Sequence, residues 1–192
     1  MIEPIPDNRE QIMATTGIDD VIYMFAMSLD GFIAREDGTF DWLDNFPPDD
    51  DYDISGFMAS LSGIVMGRAT YDIVRREPEW TYAKYPCLVA TSRPLDNLPE
   101  NAAAMVGAPA EMLANLRARG ATGRIWLLGG GDLARQFMDA GLLDTIEIGT
   151  IPIILGSGLR AFGGRQADRW LDLAFAKPLA NGAVHAQYRV RR

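Results

Sequence analysis

IWLLGGGDLARQFMDAG, residues 125–141, decides how the rest of the chain is read. Residues 125–128 are an apolar run and read as a buried strand, 129–131 as a turn of three glycines, and 132–140 as a helix stopped by Gly141. A strand that hands directly to a helix is the repeating unit of a parallel sheet, whose strands need crossover connections. Lacking side chains, Gly129, Gly130 and Gly131 let the backbone approach an anion such as a diphosphate, and the helix that follows points its N-terminus at the same place. The order of residues is neither G-x-G-x-x-G nor G-x-x-x-x-G-K-S/T. The turn therefore serves either a phosphate or the geometry of the sheet.

Working outward, the same alternation recurs on both sides. Upstream, VIYMFAM at 21–27 is a continuous apolar run and predicts a buried central strand. A turn at Ser28, Leu29, Asp30 and Gly31 follows, then Phe32, Ile33 and Ala34, and then a loop over 35–48 anchored by Trp42 and Leu43. Residues 53–61 have helical spacing, 64–66 form a short buried strand, and Gly67, Arg68, Ala69 and Thr70 open another helix. Strands are expected at 87–90 and 103–106, and a helix at 109–119 with Pro109 in its first turn and Gly120 just past its end. Downstream, 144–155 is a long β-rich run in which Pro152 marks a bulge or an edge. Residues 169–176 and 183–190 form a closing hairpin around Asn181-Gly182.

The predicted fold is α/β with three layers: a mostly parallel central sheet, helices on both faces and an antiparallel C-terminal hairpin. Residues 1–20 read as an irregular N-terminal arm and 21–192 as one domain, a size that buries a sizeable core. The net charge of −8 disfavours a phosphate backbone over the whole surface, so nucleic acid is not an expected partner. No stretch reaches the roughly 18 apolar residues of a membrane span. One cysteine, Cys87, and one histidine, His185, exclude a disulfide framework and a Cys-based zinc cluster, so no metal is expected and a cytoplasmic location is.

Two further turns share the logic of the glycine turn, because ligands in such sheets bind at the carboxyl ends of strands. Arg68 after the strand at 64–66 can grip a phosphate with two parallel hydrogen bonds, and Thr70 adds a hydroxyl. Ser92 and Arg93 after the strand at 87–90 suit a ribose 2′-phosphate, which favours NADP over NAD. Each is equally an ordinary turn when taken alone. Trp42, Tyr52, Phe57 and Trp80 are candidates to line a pocket for a flat ring, although core or lid is the commoner use of such aromatics. Cys87 reads as a small buried hydrophobe, and His185 as a structural or surface residue.

In order, AMSLDGFIA (26–34), VMGRATYD (65–72), VATSR (89–93), LLGGGDLARQFMDAGLLD (127–144) and IPIILGSGLRAF (151–162) resemble the dihydrofolate-reductase-like superfamily. The closer likeness is to the branch of the reductase domain of bacterial riboflavin biosynthesis, and it covers nearly the whole chain. The resemblance implies an NADPH-dependent oxidoreductase acting on a CH–NH, C=N or C=O group of a small polar heterocycle. That substrate is pteridine-like or ribosylaminopyrimidine-like, as for 5-amino-6-(5-phosphoribosylamino)uracil reductase.

By that similarity Ala26 and Ile33 hold the nicotinamide carboxamide through backbone groups. Gly67, Arg68 and Thr70 hold the diphosphate and adenosine region, Ser92 and Arg93 meet the 2′-phosphate, and Gly129, Gly130, Gly131, Asp132 and Leu133 wrap the diphosphate. Asp30, Trp42, Asp53 and Phe57 are expected on the substrate side, and a homodimer is the expected assembly. Asp53 lies fourteen residues before Gly67, a spacing that suits a catalytic carboxylate of the riboflavin branch. An Asp there is equally a helix cap. Leu128 departs from the branch, which usually carries an acidic residue at that point, and the zinc deaminase signatures H-x-E and P-C-x-x-C are absent from the sequence. The alternatives are a non-catalytic NADP(H)-binding protein of the same fold, dihydrofolate reduction, and an interaction protein that docks through its acidic arm.

Overall fold

The computed structural model describes residues 20–49, 51–164 and 167–192. Apart from Asp20, the predicted arm lies outside the described residues, as does Asp50. The apolar run expected at 21–27 is β1 (Val21–Ser28). Then come β2 (Phe32–Ala34), α1 (Asp41–Asp44), α2 (Ile54–Ala59), β3 (Leu61–Gly67), α3 (Arg68–Val74), β4 (Cys87–Ala90), β5 (Ala102–Met105) and α4 (Pro109–Ala118). The chain closes with β6 (Arg124–Gly129), α5 (Gly131–Asp139), β7 (Thr145–Ile151), β8 (Leu159–Arg160), β9 (Leu171–Pro178) and β10 (Val184–Val190).

Among the described residues the main sheet has eight strands in the order β5-β4-β3-β6-β1-β7-β10-β9. Its first six strands run parallel, and β10 joins β7 and β9 antiparallel, so the predicted C-terminal hairpin forms the edge. Alternation within the apolar runs explains how both faces are buried. Val21, Tyr23, Val65, Leu88, Ile125 and Leu127 face α4 and α5, packing on Met112, Leu116, Leu133 and Phe137. Ile22, Met24, Ile64, Met66, Cys87 and Val89 face the other way, toward Phe57 of α2 and Tyr71 of α3.

Two expectations shift and one pairing is new. The helix at 53–61 is real only over Ile54–Ala59, because Asp53 is its cap and Leu61 already belongs to β3. The β-rich run at 144–155 ends as a strand at Ile151, one residue before Pro152, which has no N–H to donate to a ladder. A small second sheet, β2 with β8, pairs segments more than a hundred residues apart and left no local signal. No helix among the described residues is long and apolar enough to cross a membrane.

Candidate functional site

The registers set three turns side by side. Gly67 pairs with Ala90, and Met66 with Gly129, so β4, β3 and β6 end along one line at the carboxyl edge. From that line leave Thr91-Ser92-Arg93, Gly67-Arg68 and Gly129-Gly130-Gly131. A Cβ placed on Gly67 would lie 3.6 Å from Gly129 O and 3.7 Å from Gly130 N, and one on Gly130 would lie 4.0 Å from Thr70 Oγ1. The two glycine turns and the Thr70 hydroxyl therefore lie beside one another, with the Tyr23 ring 3.9 Å from where a Cβ on Gly129 would stand. Gly129 has φ +123°, which side-chain-bearing residues rarely adopt, and the Gly129–Gly130 peptide is cis. Arg68 joins the third turn to the same place, because its Nη1 donates to Pro94 O at 3.1 Å while its Nε binds Asp72 at 2.7 Å.

Backbone amides of a glycine-lined turn, the Thr70 hydroxyl and the Arg68 guanidinium that reaches the third turn are donors of the kind a diphosphate needs. The residues present fit a dinucleotide. Two of the sequence-predicted residues also serve the packing of the chain itself. Gly131 is glycine because its Cβ would stand 2.5 Å from Arg160 O and 2.9 Å from Ala161 O, so the chain itself fills that space. The Leu133 N–H donates to Gly130 O at 3.0 Å and its side chain is in the core. Asp132 is exposed beside Gly163.

Beyond Ile22 the sheet opens. β1 pairs with β6 only at Val21 and Ile22, yet runs beside β7 from Ile22 to Ser28. The strands β6 and β1 part at the topological switch point, where β1's successors go to opposite sides, and Ala26 lies on the part of β1 beyond that ladder. Across the opening, the Trp126 indole donates to Met24 O at 3.1 Å.

The segment from α1 to α2 covers this face. Trp42, expected on the substrate side, is buried against Ile151, Leu179 and Ala183 with Ala26 and Tyr52 around it. Phe57 packs on Ile22, Met24 and Leu61, again with Tyr52, so Tyr52 joins the two aromatic residues, while Trp80 belongs to a separate cluster with Tyr71 and Tyr82. Asp53 is exposed and its Oδ1 accepts from Gly56 N–H at 2.8 Å, the geometry of a helix cap. Asp30 clamps two loops together, accepting from Leu155 N–H at 3.1 Å and Gly156 N–H at 2.7 Å. The Ser28 hydroxyl and these amides hold its carboxyl down at about 2. Ile33, on β2, is tied to this clamp through the Phe32 N–H, which donates to Ser28 Oγ at 3.0 Å.

His185 is not on the surface. It is buried on β10, with Nε2 2.8 Å from Glu147 Oε1, and Gln187 Nε2 donates to Glu147 Oε2 at 2.7 Å. Tyr52 stands edge-on to the imidazole at 4.4 Å, its hydroxyl pushed above the usual phenol range by burial and by the Glu147 charge. Sequence reading missed this group because its members come from three distant segments. The available signal was polar residues two apart, Glu147 in β7 and His185 with Gln187 in β10, interrupting apolar strands. Cys87 is buried as expected, its thiol raised to about 12 by burial.

The model of the RibD C-terminal domain matches residues 76–184, more than half of the chain. The chain belongs to the RibD C-terminal domain family. YwjB, an uncharacterized protein of Bacillus subtilis, is 34% identical over 169 residues, covering 88% of this chain and 95% of its own. A protein of Shewanella sp. PV-4 named for riboflavin biosynthesis has a crystal structure with TM-score 0.79 and 27% identity, covering 90% of this chain and 99% of that one. Dihydrofolate reductase of Enterococcus faecalis, solved with NADP(H), matches with TM-score 0.60 and 17% identity over 91% of this chain and 98% of its own, a likeness of fold. The dihydrofolate-reductase-like architecture read from the motifs is the observed one, and the RibD C-terminal domain carries a reductase-like fold.

Proposed function

We propose that this RibD C-terminal domain protein binds NADPH and reduces a C=N or C=O bond of a small polar heterocycle, pteridine-like or ribosylaminopyrimidine-like. The observation that supports this most is the meeting of Gly67, Thr70, Gly129 and Gly130 at one edge, with Arg68 tied to the turn that carries Ser92 and Arg93. In this reading Gly67, Thr70, Gly129 and Gly130 hold the diphosphate, and Asp132 tolerates it from the exposed side. Ser92 and Arg93 select the 2′-phosphate, with Arg68 beside them. Ala26 and Ile33 orient the carboxamide from the two sides of the Asp30 clamp. When bound, NADPH supplies the hydride. Trp42, Tyr52 and Phe57 exclude water from the face of β1, which strengthens every polar contact made there. Asp53 can deliver a proton only through its exposed rim position, so solvent water relayed past α2 is the favoured source.

Calorimetric titration with NADPH and NADH tests the reading. Micromolar binding of NADPH is expected, with weaker binding of NADH, and Arg93→Ala should remove most of the difference between them. Failure of both nucleotides to bind would overturn it. A non-catalytic nucleotide-binding protein is the second reading, favoured by the use of Asp53 as a helix cap. NADPH consumption in the presence of pterins, pyrimidines and aldehydes separates the two.

A further inference from the structure

The Glu147 carboxylate fixes the orientation of both side chains around it. A carboxylate only accepts, so His185 must carry hydrogen on Nε2 and Gln187 must turn its amide nitrogen inward. What remains is the imidazole Nδ1 and the Gln187 Oε1. Both atoms are buried and neither has a hydrogen-bond partner among the described residues. Both are acceptors. A buried acceptor without a donor costs free energy comparable to a lost hydrogen bond, and native structures keep few of them. Here two occur two residues apart on one strand face, braced by the same carboxylate.

Their place in the sheet gives them a use. His185 lies across from Gly149, which lies across from Ala26, and partnered residues share a face. Two strand spacings, about 10 Å, separate Ala26 from His185. A small heterocycle covers that distance with one edge at each end. Tyr52 covers the row at Gly149, where a Cβ would lie 3.8 Å from its hydroxyl. It stands before α2 rather than in a helix or strand, so its ring can turn aside without breaking a ladder.

We propose that His185 Nδ1 and Gln187 Oε1, oriented by Glu147 and covered by Tyr52, form a recognition subsite for the N–H donor edge of an amino-substituted nitrogen heterocycle. The proposal rests on the reductase reading, since it names the far edge of the substrate whose near edge meets the nicotinamide at Ala26. It makes His185 and Gln187 specificity-determining residues.

The chain has one histidine, so its imidazole gives one Cε1–Hε1 and one Cδ2–Hδ2 carbon-13–proton signal to follow in the unmodified protein. The probes are 2,4-diaminopyrimidine, which presents N–H donors, and 1,3-dimethyluracil, which presents carbonyls and none. Each is titrated with and without NADPH, whose binding is read separately by tryptophan fluorescence. The expected result is a saturable shift of the His185 signal with 2,4-diaminopyrimidine and at least about tenfold weaker binding of 1,3-dimethyluracil. No shift, or equal shifts with both probes, overturns the subsite, and if NADPH binds in the same sample the reductase reading stands. A selective shift without NADPH binding keeps the subsite and removes the reductase reading. Gln187→Met, in a sample whose melting remains cooperative, should weaken 2,4-diaminopyrimidine and leave NADPH binding unchanged; equal affinity of the variant and the parent for the probe counts against the proposal.

Discussion

Two aspartates placed on the substrate side by sequence are put to structural use, and each use has a signature. Asp53 caps α2, so Asp53→Ala should cost about 1 kcal/mol in urea unfolding, whereas Asp53→Asn, also a good cap, should cost little. If Asp53→Asn melts normally yet loses NADPH turnover on a reducible substrate, the carboxylate has a chemical role beyond the cap. Asp30 holds the turn after β1 to the segment after β7, and its carboxyl is held at about 2, below the ordinary 3.8. A depressed carboxyl stabilises the fold above the unfolded value and loses that contribution as pH falls through the folded one. Asp30→Asn should therefore lower the melting temperature at pH 7, and the gap to the parent protein should close between pH 4 and pH 2. A gap that is constant over that window would contradict the clamp. The cap was one of two readings open for Asp53, because a cap and a catalytic carboxylate look alike in sequence, whereas the clamp could not be read beforehand, since the amides bound by Asp30 lie 125 and 126 positions away.

The βα units were the most legible part of the chain, since apolar runs, glycine turns and helix stops are local signals. Within the β6–α5 turn, however, three adjacent glycines do different work, which sequence alone could not divide. Gly131 faces the backbone of Arg160 and Ala161, whereas Gly130 faces open space toward Thr70. Gly131→Ala should destabilise by roughly 1–3 kcal/mol through overpacking, measured by chemical denaturation. Gly130→Ala should leave the unfolding curve nearly unchanged and weaken NADPH binding at least about tenfold by narrowing the cradle. The reverse assignment of effects would mean that the nucleotide does not enter between α3 and α5. The pairing of β2 with β8 and the Glu147–His185 contact belong to the opposite class: their partners are set by tertiary register, of which a window of sequence holds no trace.

Taken whole, the molecule is a sheet whose strand order brings three anion-suited turns to one edge and ends the β1–β6 ladder after Ile22. The order of the motifs in sequence already pointed to this architecture. The buried polar face of β7 and β10 beneath Tyr52 did not show itself until the strands were placed. Ligand binding should report on the whole assembly, since a nucleotide that binds only the folded chain raises its stability by about 2.7 kcal/mol at a hundred times its dissociation constant. The most direct test of a single dinucleotide cradle is a nitrogen-15–proton correlation spectrum of the labelled protein during NADPH titration. The predicted result is that the amides of Gly67, Thr70, Ser92, Arg93, Gly129 and Gly130 shift together along one saturation curve. Shifts confined to one turn, or following unrelated curves, would contradict it.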